Sequence, residues 1–254
     1  MLRLIRAKRR KLFQDGRVRK YLLYVMGEVI LIVLGIVVGV RLSNWNEHGK
    51  QRQEEVKLLL EIRADLADTA DELEADLSSH QRALQSGMIF NQAMQQDSGF
   101  HDSLYYHFER CLNDRQLYPR TGGYETLKSY GVDIISNDDV RKGIMEMYQG
   151  SLKRVAEFGQ ANPKYDIANL LKIHQDQHFQ ITENIDKEEV IPGVDLPVLF
   201  YDLELISFDA LKQDRAFRMD LQRSFNIRRQ KIGRHTATLE GIDQLVQEID
   251  EELE

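Results

Sequence analysis

Between Lys20 and Arg41 runs the segment YLLYVMGEVILIVLGIVVGV, twenty residues with a single charge, Glu28. As a helix it would be about 30 Å long, the thickness of a bilayer's hydrocarbon core, so the segment predicts a transmembrane helix over residues 21–40. Tyr21 at one end and Trp45 just past the other fit as interfacial anchors, because amphipathic rings favour the headgroup level. A cleaved signal peptide is the competing reading. It needs a shorter apolar region and a small-x-small site, and Arg41-Leu42-Ser43-Asn44-Trp45 offers no such site.

The charges on either side orient the span. Residues 1–20 hold nine Lys and Arg against Asp15, a balance of +8, while the whole 254-residue chain carries −7. The basic flank predicts a cytoplasmic N-terminal segment beside anionic lipid, with Leu2–Phe13 as a candidate for lying on the membrane surface. Residues 41–254 then form an acidic extracytoplasmic domain, whose charge argues against a nucleic-acid partner. Cys111 is the lone cysteine, so no disulfide within one chain can staple this domain and apolar packing must hold it.

Glu28 costs roughly 2.5–3.5 kcal/mol if left in lipid at a span's centre. At 100° per residue, Glu28, Gly35 and Gly39 fall within about 40° of one another, flanked by Tyr24 and Leu31. Gly35 and Gly39 form a GxxxG pair that lets another backbone approach. A carboxyl on a face suited to close contact predicts self-association, with Tyr24, Glu28, Leu31, Gly35 and Gly39 as the contact face. The same run, Gly27-Glu28-Val29-Ile30-Leu31 through Gly35-Ile36, followed by Ser43-Asn44-Trp45-Asn46-Glu47, resembles the N-terminal signature of an uncharacterised family of small single-span bacterial membrane proteins of Bacteroidetes type. A looser likeness continues through Tyr124-Glu125-Thr126-Leu127 to Tyr148. Gly39, Arg41 and Ser43 depart from the family pattern. The resemblance implies an inner-membrane bacterial protein and supplies no activity; together with the basic flank this puts the C-terminal domain in the periplasm.

The domain reads as all-α, a helical bundle whose long first and last helices are coiled-coil-like and antiparallel. From Asn46, Val56, Leu59, Arg63, Leu66, Ala70, Leu73, Leu77, His80 and Leu84 keep a three-four spacing, weakened at Gly87. Phe225, Ile232, Leu239, Ile242, Val246, Ile249 and Leu253 repeat it near the other end, with Arg228 and His235 as polar interruptions. Antiparallel pairing of the two seams brings the acidic end 248–254 toward Lys50, Arg52 and Lys57; association between chains along either seam is the alternative. Shorter helices are expected over 102–117, 124–130, 138–160 and 164–182. Residues 184–206 read as irregular, no strand pair is expected, and Ser207 or Asp209 should cap the last helix.

Chemistry is sought with little return. His174-x3-His178 puts two imidazoles on one helix face near Asp176, yet Gln175 stands where a zincin has its glutamate, and the pair reads as a surface feature. Cys111 reads as a buried or idle thiol, and Gly122-Gly123 as a helix break. No catalytic residue, cofactor-binding residue or metal ligand is assigned. The leading expectation is a non-enzymatic, self-associating membrane scaffold or sensory module that recognises an unidentified extracytoplasmic ligand or protein. The alternative is a proton- or cation-conducting, stator-like subunit that uses Glu28.

Overall fold

The computed structural model describes residues 16–96, 99–158, 165–189 and 198–254, with 16–19, 183–189 and 198–202 described by backbone alone. The basic residues 1–15, including the proposed surface segment Leu2–Phe13, lie outside the described residues. The chain divides into two units, Met1–Lys57 and Leu58–Glu254. Helix α1 is assigned over Gly16–Gln95. In the first unit its apolar stretch is long and apolar enough to cross a membrane, with a mean hydropathy of 2.6 and none of the window buried against protein.

The second unit is mostly helical. It contains α2 (Ser103–Leu112), α3 (Gly122–Tyr130), α4 (Asp138–Glu146), a π-helical turn at Met147–Leu152, α5 (Lys153–Ala156), α6 (Ile167–His178), α7 (Phe208–Gln213) and α8 (Arg215–Leu253). Its framework is an antiparallel pair, the 58–95 part of α1 against α8. Arg63 bonds to Asp250, the His80 ring meets His235 at 5.2 Å, and Phe90 meets Phe217 at 6.1 Å. Positions rise along one helix as they fall along the other.

The heptad seam is half of the one expected. Leu59, Leu66, Leu73 and His80 are buried, but the alternate positions are Ile62, Thr69, Asp76 and Ala83. Arg63, Ala70, Leu77 and Leu84 instead lie on the flank, exposed or half-buried. On α8 the shift is the same: Arg228, His235, Ile242 and Ile249 are buried as expected, joined by Ser224, Lys231, Thr238 and Leu245. The spacing is a true heptad on both helices, and several of its positions are polar.

Two apolar clusters fill the interior. One gathers Leu58, Leu59, Ile62, Leu66, Leu73, Leu127, Ile144, Leu152, Ile242, Leu245 and Ile249; the other gathers Phe90, Phe108, Ile167, Leu171, Phe179, Leu211, Phe217 and Leu221. Each fully buried side chain of this kind contributes about 1.5–3 kcal/mol. In the first cluster the Tyr124 and Tyr148 rings stack at 4.5 Å, so Tyr124 is a core aromatic.

Several expected boundaries are corrected. Gly87 does not weaken α1, because it lies inside the helix where a side chain would meet the Phe225 ring and Cys111 Sγ. Helix α2 stops at Leu112, well before Pro119, since Arg228 takes the carbonyls of Cys111 and Asn113 at 2.6 and 2.7 Å. Gly122-Gly123 opens α3. The Gly123 amide donates to Asp65 at 2.7 Å, and a Cβ there would lie 2.8 Å from the Ile62 backbone nitrogen. Asn137 caps α4, accepting from the Asp139 and Val140 amides.

The irregular stretch holds a hairpin instead. Strand β1 (Phe179–Glu189) follows α6 directly and pairs antiparallel with β2 (Val198–Leu205), from Phe179↔Leu205 to Glu189↔Val198, with a shift between Asn184 and Glu188. Its base is tied down: the Ile206 amide donates to His178 O at 2.9 Å, and the Leu205 amide to Tyr105 Oη at 3.0 Å. Ser207 caps only the short α7, and Asp214 caps α8, its Oδ1 accepting from the Ala216 and Phe217 amides.

Candidate functional site

On the apolar segment, Tyr24, Glu28 and Leu31 are exposed in the single chain, as are Tyr21 and Trp45. A Cβ built on Gly35 or Gly39 meets nothing within 4 Å. The five residues of the expected contact face therefore present an unfilled surface, with a carboxyl beside two backbone-exposing glycines.

In the second unit a layer of buried charge crosses between the two long helices. Lys231 and Asp114 pair at 2.5 Å with both side chains 3 % exposed. The fully buried Asp76 takes Arg115 at 2.6 Å through one oxygen and leaves the other without a partner among the described residues. Arg228, anchored to the carbonyls of Cys111 and Asn113 at the end of α2, also faces His80 Nδ1 at 3.3 Å. The imidazoles complete the layer. His235 Nδ1 lies 2.8 Å from Lys231 O, and the Nε2 atoms of both His80 and His235 lack a partner among the described residues. His235 also lines, with Arg115, Lys231 and Arg234, a cavity the size of about one water molecule.

The electrostatics follow from burial. Desolvation pushes His80 down to about 3, helped by His235, Lys231, Arg228 and Arg115, and it lowers His235 as well. Both imidazoles are thus neutral at neutral pH. Cys111 beside them is buried, donates to His107 O, and is pushed up to about 12 by desolvation, against the pull of Arg228. Its thiol is buried, one of the two alternatives the sequence offers. The layer's signal in the sequence is polar residues at heptad positions, Thr69, Asp76, Lys231 and Thr238, which a search for apolar seams passes over.

His174 and His178 do not form a surface pair. Both are buried, while Asp176 beside them is exposed. The carboxylates that meet them come from the start of α8: Asp214 Oδ2 lies 2.7 Å from His178 Nε2, and Asp220 Oδ2 lies 3.0 Å from His174 Nε2. His174 Nδ1, also turned toward Asp214 Oδ2 at 3.7 Å, has no hydrogen-bond partner among the described residues. The hydrogen bond from His178, then those from the two capping amides, hold the Asp214 carboxyl below the usual carboxylate range. Asp214 and Asp220 escape a motif search because they lie 36 and 46 residues from the imidazoles they meet.

A helical chain with one long apolar helix segment and a buried charged layer defines the class. Residues 28–201 match the family of unknown function DUF6090, and the chain belongs to it. The match runs from Glu28 to Tyr201, so it takes in most of the apolar segment and the domain as far as the first half of β2. No curated protein and no solved structure matches the chain.

Proposed function

We propose that this protein is a membrane-anchored, self-associating binding or sensory module. Residues 21–40 cross a bacterial inner membrane once. Residues 1–20 remain in the cytoplasm against anionic lipid, and residues 41–254 form a periplasmic domain without catalysis of its own. The observation that carries this reading is the apolar stretch of α1, which buries none of its surface against the protein. In water that exposure is strongly unfavourable at roughly 25 cal/mol per Å² of apolar surface, and lipid removes the penalty.

Self-association rests on Glu28 and the two glycines. A second copy packed on this face would withdraw the carboxyl from lipid while using the room that Gly35 and Gly39 leave. The domain's interior supports a binding or sensing role more than a plain spacer. A layer that buries Asp76, Asp114, Arg228 and Lys231 gives up stability that apolar residues would supply, and such layers are known to fix register or support switching.

Reporter fusions after Glu254 test the anchor and its orientation together. An enzyme active only outside the cytoplasm should be active, and one that works only in the cytoplasm silent. The opposite pattern, or recovery of the full chain in the soluble fraction without detergent, overturns the reading.

A further inference from the structure

We propose that His174, His178 and Asp214 form a binding site for a divalent transition-metal ion of the zinc class, with Asp220 as the residue that positions His174. The proposal does not depend on the membrane reading. One ligand atom from each of His174, His178 and Asp214 lies within 4.8 Å of the others, from two buried histidines and a half-buried aspartate. Four-coordinate zinc with bonds of about 2.0–2.2 Å places neighbouring ligand atoms about 3.3 Å apart. The two separations measured from Asp214 Oδ2, 2.7 Å to His178 and 3.7 Å to His174, bracket that value. Small side-chain rotations therefore suffice to close the site.

The orientation of His174 supplies the second argument. Its Nε2 faces Asp220 Oδ2, and Asp220 Oδ1 is in turn held by Arg223 at 2.6 Å. With the ring proton on Nε2 donated to Asp220, Nδ1 presents a lone pair, and it does so in a buried place with no donor to meet it among the described residues. A lone pair aimed at a carboxylate is unfavourable unless a cation stands between them. A carboxylate behind one ring nitrogen and a metal before the other is a recurrent arrangement around metal-bound histidine. The Phe217 ring, packed edge-on with its centroid 5.4 Å from that of His174, restricts its rotation.

Asp214 is shaped for the same task. Its Oδ1 is occupied by the first amides of α8, which fixes the carboxyl plane and leaves Oδ2 for the site. Spacing contributes too: histidines four residues apart share a helix face and can chelate one ion. Three protein ligands leave one position for water or an external ligand. The elements joined are the end of α6, which runs straight into β1, and the start of α8, so the ion would fasten the base of the hairpin.

The test uses the full chain in detergent, without a polyhistidine tag, stripped with chelator and titrated with zinc and with cobalt(II). The expected result is one saturable equivalent per chain, visible cobalt bands of low-symmetry four- or five-coordination, and a raised thermal midpoint. His178→Ala and Asp214→Asn should abolish saturable binding. Asp220→Asn should weaken it about 10–100-fold. His101→Ala, at an exposed histidine outside the site, should leave it unchanged. Circular dichroism of each metal-free variant checks that it is folded. Absence of saturable binding to the parent overturns the site. So does binding that survives in folded His178→Ala, which would place the ion elsewhere.

Discussion

Lys231 on α8 donates to Asp114 at 2.5 Å in the middle of the domain, across 117 residues of sequence, and neither side chain is more than 3 % exposed. Asp114 uses its other oxygen to accept the Ile167 amide at 3.1 Å, so this one carboxylate joins the segment after α2 to the start of α6 and to α8. Removing one partner of such a pair leaves an uncompensated buried charge. Lys231→Met should therefore destabilise the domain by about 3–5 kcal/mol in urea unfolding. Replacing both, as Lys231→Met with Asp114→Leu, should recover part of that loss, limited by the orphaned Ile167 amide. A single variant as stable as the parent would show that the pair is not desolvated.

The charged layer also explains which parts of the fold the sequence made legible. Both long helices, their antiparallel pairing and the shared positions Leu66, His80, Arg228 and Ile242 follow from three-four spacing. Half of each seam was misplaced, because choosing by apolarity favours Ala70 and Leu77 over Thr69 and Asp76. The favoured residues lost because Asp76 has Arg115, and Lys231 has Asp114, to bond inside the protein. The hairpin was illegible for another reason. β1 follows His178 with no Gly or Pro to mark the change from helix to strand, and Val198–Tyr201 opens β2 without polar alternation. The imidazole pair was visible as a spacing, but its aspartates belong to a helix that only the tertiary fold brings near.

Stability should fall in mild acid. The folded-state pKa of His80 is about 3, against about 6.5 for an unfolded histidine. Between these values the unfolded chain binds the extra proton, so this contribution is full above pH 6.5 and is lost as pH falls toward 3. Protonation in place would add a cation facing Arg228, Lys231, Arg115 and His235. From pH 6.5 to 5 the loss from His80 should be about 1–2 kcal/mol, at most about 1.4 kcal/mol per pH unit. His235, shifted the same way, adds to it. His80→Gln should flatten the profile in urea unfolding followed by circular dichroism; an unchanged slope in that variant would contradict the assignment.

Gly123 marks the closest approach of α3 to α1. An added Cβ would lie 2.8 Å from Ile62 N and 3.0 Å from the Glu61 carbonyl carbon, backbone atoms that cannot swing aside. Gly123→Ala should cost about 1–3 kcal/mol through overpacking. Gly143→Ala meets the ends of the Leu245 and Glu248 side chains, which can rotate, and should cost less. Thermal melts of the two variants side by side decide the point, and equal losses would count against the backbone clash.

Glu28 separates the scaffold reading from ion conduction. If the Gly35 and Gly39 face packs against a second copy, the carboxyl leaves lipid and can hydrogen-bond across the interface. Glu28→Gln keeps the shape and a donor, so assembly should be largely retained. Gly35→Leu and Gly39→Leu fill the room now open above each glycine and should hold the backbones apart, shifting the chain toward monomer. A conducting subunit shares the glycine results but not the amide result, because an amide cannot carry a proton through a cycle. The measurements are oligomer size in lipid nanodiscs and proton or cation flux into liposomes, each for the parent and for Glu28→Gln. The scaffold reading expects oligomers from both chains and flux from neither. Flux in the parent that vanishes with Glu28→Gln while the oligomer persists would replace it with conduction, and a monomeric parent in lipid would remove the contact on which both depend.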